Sequence, residues 1–209
     1  MGPNASAALA FVNTMFAPAA ALVAWTILDL RRTGKATAVG AATAIVVGLV
    51  SITPAAGFVS PLGAMLLGFI AAFPSYFALQ WRTRTRLDDS LDVVAAHGLG
   101  GTVGALLTGI LAQKAWSGAA DGLLFGNPRQ LAIQLLAVVA AMAFSASGTF
   151  ALLKLIGAFT PLRAASRHEG LGLDVSEHGE EAYTHGEGAS LALARDKAPA
   201  DPRAVRPLA

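Results

Sequence analysis

The chain contains no cysteine. That excludes a disulfide framework, thiolate metal sites and cysteine nucleophiles. Charge is scarce as well: Lys, Arg, Asp and Glu together make up 13% of the 209 residues, against about 25% in soluble domains. The charges nearly balance, at +2 overall, and the bases lie in short loops and in the tail, so no basic patch points to nucleic acid. No basic stretch precedes the first apolar run, which follows Met1-Gly-Pro-Asn-Ala-Ser. That run is therefore expected to be structure and not a secretory signal. What remains is apolar: hydrophobic residues make up 55% and mean hydropathy is +0.58. This is the composition of a membrane protein.

Five apolar segments are long enough to cross a bilayer core of about 30 Å, which takes roughly 18 residues or more. They run over about 5–30, 36–53, 61–81, 91–112 and 128–159. The fold class expected is all-α, a polytopic transmembrane helix bundle, with 1–160 as its membrane domain. Pro18 and Pro74 lie inside segments and predict bends there. Ser60-Pro61 and Asn127-Pro128 are helix-start signals. The fifth segment, at ~1.5 Å per residue, is longer than a straight crossing needs and must tilt or protrude. Gly100, Gly104 and Thr108, like Gly101, Ala105 and Gly109, are spaced by four, which lets membrane helices approach closely. Residues 161–209 form a polar tail, and the portion beyond about 186 has the composition of a disordered chain.

Loop charges set an orientation. Arg31, Arg32 and Lys35 follow the first segment, and Arg82, Arg84 and Arg86 follow the third. The loop after the second has no charge, and the loop after the fourth has only Lys114 and Arg129 as bases. The positive-inside rule then places the N-terminus outside and the tail in the cytoplasm. Trp25, Trp81 and Trp116 fall near segment ends, where an interfacial aromatic belt would put them.

The fourth segment carries the densest chemistry. Asp88, Asp89, Ser90 and Asp92 precede His97, and the run then continues without charge to Ala112. A histidine in such a segment is costly in lipid and marks a candidate functional site. It is either a pore-lining imidazole for a small polar solute or a structural group bonded to a neighbouring helix. On an α-helix Val93, His97, Gly101 and Gly104 would share one face. The acidic residues are read as helix caps, in preference to a metal site, because they sit where caps belong. Ser145 and Ser147 would need an oxyanion hole to act as nucleophiles, and no nucleophile-elbow pattern surrounds them. The tail histidines His168, His178 and His185 lack metal-ligand spacing. No cofactor is expected, and no enzyme activity.

Asp88-Asp-Ser-Leu-Asp-Val-Val-Ala-Ala-His-Gly-Leu-Gly-Gly-Thr-Val-Gly-Ala-Leu-Leu-Thr-Gly109 resembles the tenth transmembrane helix of the ammonium transporter family and its lead-in. Leu9-Ala-Phe-Val-Asn-Thr14 looks like the start of that family's seventh helix, and Val50-Ser-Ile-Thr-Pro-Ala-Ala-Gly57 like the end of its eighth. Glu169-Gly-Leu-Gly-Leu-Asp-Val-Ser-Glu-His-Gly-Glu-Glu-Ala-Tyr183 resembles its cytoplasmic tail motif, in the bacterial and plant branch more than the Rhesus branch. The four motifs occur in the family's order and reach to Tyr183.

The resemblance implies an eleven-helix channel-type transporter of the cell membrane, N-terminus out and C-terminus in. Such proteins are homotrimers with a separate pore in each subunit. Ammonium is deprotonated at an outer vestibule, and ammonia and a proton cross a pore lined by two hydrogen-bonded histidines. His97 matches the second of these, Val93 a pore-wall position, and Asp92 the acidic residue at that helix's cytoplasmic start. Gly172, Asp174, His178, Gly179 and Tyr183 match the regulatory tail motif. Regulatory proteins of the PII type can dock on the cytoplasmic face. The match covers the second half of the family's pattern: five spans that resemble one inverted repeat plus the last helix. The first pore histidine belongs to the other half, so the short chain is expected to be a truncated reading frame, an internal start or half of a split gene, and not to conduct alone. A non-conducting membrane module, an ammonium sensor or regulatory subunit engaging PII-type proteins, is the alternative.

Overall fold

The computed structural model describes residues 2–89 and 91–180. It divides into two units, Met1–Ser145 and Ala146–Ala209, and every regular element among the described residues is helical. Three long helices come first: α1 (Ala5–Thr33), α2 (Ala38–Ile52) and α3 (Pro61–Arg82). A π turn over Val94–Leu99 leads directly into α4 (Gly100–Leu111). A short α5 (Lys114–Ser117) and a 3₁₀ turn over Leu123–Phe125 precede α6 (Pro128–Gly157). In the tail, α7 (Ser166–Leu171) is followed by a second π turn, Asp174–His178.

The helix ends follow from local chemistry. Asn4 caps α1 by accepting from the Ala7 amide at 3.1 Å. Thr37 caps α2 through the Gly40 amide at 2.9 Å. Ser60 caps α3 through the Gly63 amide at 3.1 Å, with Pro61 at the first helical position, as its sequence signal predicts. Such oxygens satisfy amides that have no partner inside the helix. Gly34, with φ of 74°, closes α1 in the left-handed region and donates its amide to Leu30 O at 3.0 Å. Pro18 and Pro74 sit inside α1 and α3, and each helix runs on through its proline without interruption.

Packing is built on small residues. The buried stripe of α1 is Leu9, Asn13, Ala17, Pro18, Ala21, Ala24, Trp25 and Asp29, the three-and-four spacing of a single helix face. A Cβ on Gly68 would collide with the backbone of Ala17, and one on Gly48 with the backbone of Pro18. Gly104 meets the backbone of Ser51 in the same way. Three crossings, α1 with α3, α1 with α2, and α2 with α4, thus depend on glycine at the point of closest approach. Gly109, on another face of α4, lies against Leu131 of α6, where a Cβ would come within 2.8 Å of its Cα. The i+4 spacing read from the sequence therefore serves two separate contacts.

Four helical stretches are long and apolar enough to cross a membrane: α1, α3, Val94–Leu111 and α6. The second expected span is shorter than anticipated. Its helix, α2, has 15 residues, about 22 Å at ~1.5 Å per residue, and the chain then turns through 53–59. Pro54 follows at once: Thr53 still has helical dihedrals, φ −49° and ψ −49°, but the proline after it has no amide to continue the ladder. The fourth span also starts later than expected, at Val94 and not at about 91. The fifth ends at Gly157.

Candidate functional site

The approach to the π turn is fixed by two carboxylates with different tasks. Asp89 reaches forward and accepts from the amides of Val93 and Val94, both at 2.9 Å. It is the side chain that caps this helix. These two amides, Val94 foremost, together with the charge of Arg82, hold the Asp89 carboxyl below its ordinary value of 3.8. Asp92 does something else. Its carboxylate pairs with Arg82 at the end of α3, 2.5 Å away, and its backbone takes φ of 55°. A non-glycine residue in that left-handed region is uncommon, and Asp and Asn are the types that tolerate it best. Its carbonyl accepts from the Ala96 amide at 2.9 Å. The chain thus turns at Asp92, is tied there to α3, and enters the helix with its first amides satisfied.

His97 lies inside the π turn. The wider i→i+5 winding inserts one extra residue, and π turns of this kind occur often at functional sites. The insertion changes the faces. Ala96, Gly100, Gly104 and Thr108 form the buried stripe, while Val93 and His97 are exposed. The expectation that Val93, His97, Gly101 and Gly104 share a face therefore fails beyond His97, because α-helical spacing does not hold across a π turn. Among the described residues no side chain forms a hydrogen bond with the His97 imidazole, so the structural reading of a histidine bonded to a neighbouring helix finds no partner there. A cavity of about 150 Å³ in the same unit is lined by Pro54, Phe58, Thr108, Gln130 and Gln134 among others, and His97 is not part of it.

The tail-motif residues form one compact turn. Gly172, at φ 96°, and Gly179, at φ 70°, bracket the second π turn, which Asp174 opens and His178 closes. The Ser176 hydroxyl donates to Gly172 O at 2.8 Å, and the Glu180 amide donates to Asp174 O at 3.1 Å. His168 Nδ1 meets Glu177 Oε1 at 2.6 Å. Arg163 holds Glu169 at 2.7 Å, which lowers the Glu169 carboxyl below its ordinary range. Tyr183 and His185 lie outside the described residues. Ser145 and Ser147 are exposed on α6.

Sequence reasoning missed three buried polar residues. Asn13, fully buried, donates through Nδ2 to the carbonyls of Ala56 and Val59, both at 2.8 Å, and so ties α1 to the turn after α2. Asp29 is 8% exposed and Tyr76 2% exposed. Asp29 is the one acidic residue within the first apolar segment, a signal that was there to be read.

A family model described as the Ammonium Transporter Family matches residues 1–183. The chain is 44% identical to an ammonium transporter of Aquifex aeolicus over 184 residues, 88% of this chain and 43% of that protein. Among solved structures it is similar to Saccharomyces cerevisiae Mep2, with a TM-score of 0.71 and 31% identity over 80% of this chain and 41% of that one. It is likewise similar to a structure described as a sensor Amt protein, with a TM-score of 0.72 and 30% identity, covering 82% of this chain and 42% of that one. The chain spans about half the length of the curated relatives it matches. On this footing it is a multi-pass membrane protein, and it belongs to the ammonium transporter family.

Proposed function

We propose that this chain supplies one half of an ammonium-conducting pathway, with His97 and Val93 on the pore wall. One observation carries the reading: the π turn presents an otherwise unpartnered imidazole beside Val93, on a segment whose opposite face is packed against the bundle. An imidazole free of protein partners can exchange hydrogen bonds with a small solute and pass a proton between its two nitrogens. Asp92, paired to Arg82, anchors the start of that segment, and we place it at the cytoplasmic end, with the N-terminus outside and the tail inside the cell membrane. The substrate is ammonium or ammonia, the complete assembly a homotrimer. The turn formed by Gly172, Asp174, His178 and Gly179, with Tyr183 as a further residue of the same sequence motif, is the regulatory segment, with a PII-type protein as its candidate partner at the cytoplasmic face. The family is one of transporters and not of enzymes.

The test is uptake of labelled methylammonium by cells lacking their own ammonium transporters. The chain is expressed alone and together with a polypeptide covering the first half of a relative. Uptake is expected only with both, and His97→Ala should reduce it at least ~tenfold without loss of membrane-inserted protein. Full uptake by the His97→Ala pair would overturn the role given to His97. A second reading rests on the likeness to the sensor Amt protein: a non-conducting membrane module that binds ammonium and signals through its tail. Ammonium-dependent protection of the tail without uptake in either arrangement would favour that reading.

A further inference from the structure

We propose that Thr102 is a positioning residue for His97: its hydroxyl clamps the carbonyl of Gly98, the residue that follows the imidazole, at the exit of the π turn. The contact is direct. Thr102 Oγ1 donates to Gly98 O at 2.7 Å, and Gly98 lies inside the turn Val94–Leu99. Asp89 holds the other end, where its carboxylate accepts from the amides of Val93 and Val94, both at 2.9 Å. Side chains therefore grip the turn twice, with an acceptor where it begins and a donor where it ends.

The local chemistry shows why the exit needs a grip. His97 and Gly98 are both exposed, between the buried Ala95 and Ala96 on one side and the buried Gly100 on the other. A Cβ on Gly98 would meet nothing nearer than Val94 Cγ1 at 3.9 Å. One on Gly100 would already touch Val47 of α2 and Ser75 of α3, each at 3.7 Å. Packing against the bundle thus resumes only after the imidazole. Glycine also leaves the backbone its widest freedom, so no packing fixes the peptide next to His97. The winding adds to this. Returning from five-residue to four-residue bonds passes over one carbonyl, so the exit of a π turn has acceptor capacity to spare. The Gly100 amide turns back to His97 O, and the Thr102 hydroxyl supplies its proton to Gly98 O.

The position of the bond gives it this role, not its type. Thr14 makes the same bond to Ala10 O, also at 2.7 Å, within the regular winding of α1, where the hydroxyl is an addition to an intact ladder. The functional meaning of the Thr102 clamp rests on the reading of His97 as a pore residue: an imidazole held in one direction meets a solute in one geometry. The test does not rest on it, because it reads the ring and the backbone and not transport.

The full chain in detergent, with histidine rings labelled with carbon-13, is compared with Thr102→Val, Thr102→Ser and Thr14→Val by NMR and by amide hydrogen exchange. His97→Ala assigns the His97 ring signal among the four histidines. Thr102→Val keeps the branched shape and removes the hydroxyl. It is expected to shift and broaden the His97 ring signal and to speed exchange over 97–102 about fivefold, with the tail histidine signals and exchange over 128–145 unchanged. Thr102→Ser restores the donor and should return the wild-type ring signal, with exchange within about twofold of wild type. Thr14→Val should leave both readouts at wild type. An unmoved His97 ring in Thr102→Val would overturn the proposal. So would a Thr102→Ser variant as altered as Thr102→Val, since the hydroxyl would then not be the cause. Should Thr102→Val fail to fold, Thr102→Ala, which also lacks the hydroxyl, is read by the same two outcomes. If the ring responds as expected while the His97→Ala pair transports at the full rate, the pore reading fails and the clamp stands.

Discussion

α3 and α6 are both long and apolar enough to cross a membrane, yet eight residues of α3 are buried and none of α6. Small residues alone do not make the difference. α6 contains its own glycine, Gly148, which has open space around its Cβ position, whereas Gly68 of α3 touches the backbone of α1. What separates the two helices is whose small residue sits at the crossing: Gly68 of α3 meets α1, whereas α6 is met at Leu131 by Gly109 of α4. Hydrophobic transfer cannot drive this choice in lipid, where a buried and an exposed leucine meet surroundings equally apolar. Close packing and hydrogen bonds decide it. α1, α2, α3 and α4 have both: glycine crossings at Gly48, Gly68 and Gly104, and a buried amide, Asn13, holding two carbonyls.

The largest effect should therefore come from filling a crossing. Gly68→Val places a side chain into the backbone of Ala17 and is expected to cost ~3 kcal/mol or more. The same change at Gly148 should stay within ~0.5 kcal/mol. Thermal unfolding of the two variants in one detergent compares them directly, and equal losses would erase the distinction between the helices. Next in size is Asn13→Leu. It keeps the branched outline of the side chain but strands the carbonyls of Ala56 and Val59, and should cost about 1–3 kcal/mol in the same assay. His97→Ala should hardly move that midpoint, by less than ~0.5 kcal/mol, because its ring is exposed and makes no hydrogen bond to the described residues. A histidine that proved costly to remove would be structural, against the pore reading.

Much of this was legible in the sequence, for definable reasons. Apolar runs and their proline and serine boundaries located α1, α3, α4 and α6, since span length and capping are local properties. The cap at the start of the fourth segment was legible in kind, but three aspartates within five residues left its owner open. Only the geometry gives Asp89 to the amides and Asp92 to Arg82. The π turn left no mark in the spacing, so face assignments made with α-helical periodicity failed past it. Asn13, Asp29 and Tyr76 escaped notice because their meaning lies in partners 8 to 51 positions away. The tail residues were found through the family pattern. Their grouping into one turn between two left-handed glycines is not a periodic signal.

The smallest effect separates the two aspartates at the entry to the π turn. The Asp89 carboxyl is held below 3.8 by the amides of Val94 and Val93 and by Arg82. A carboxyl lowered in the folded state contributes its full stabilisation above the unfolded-state value and loses it as pH falls through the lowered one. The cap should therefore be intact at neutral pH and weaken only in acid, below the ordinary carboxylate range of about 3.9. Exchange at the Val93 and Val94 amides, followed downward from pH 5, should show extra opening there and nowhere along α6. Asp89→Asn keeps a capping oxygen but cannot titrate, so its opening should lose that acid step while remaining slightly greater at neutral pH. Asp92→Asn alters the pairing with Arg82 and leaves the Asp89 carboxylate on its amides, so the acid step should survive in it. If Asp92→Asn removed the step instead, the capping charge would belong to Asp92, and the entry to the His97 segment would be held from α3 and not from its own first turn.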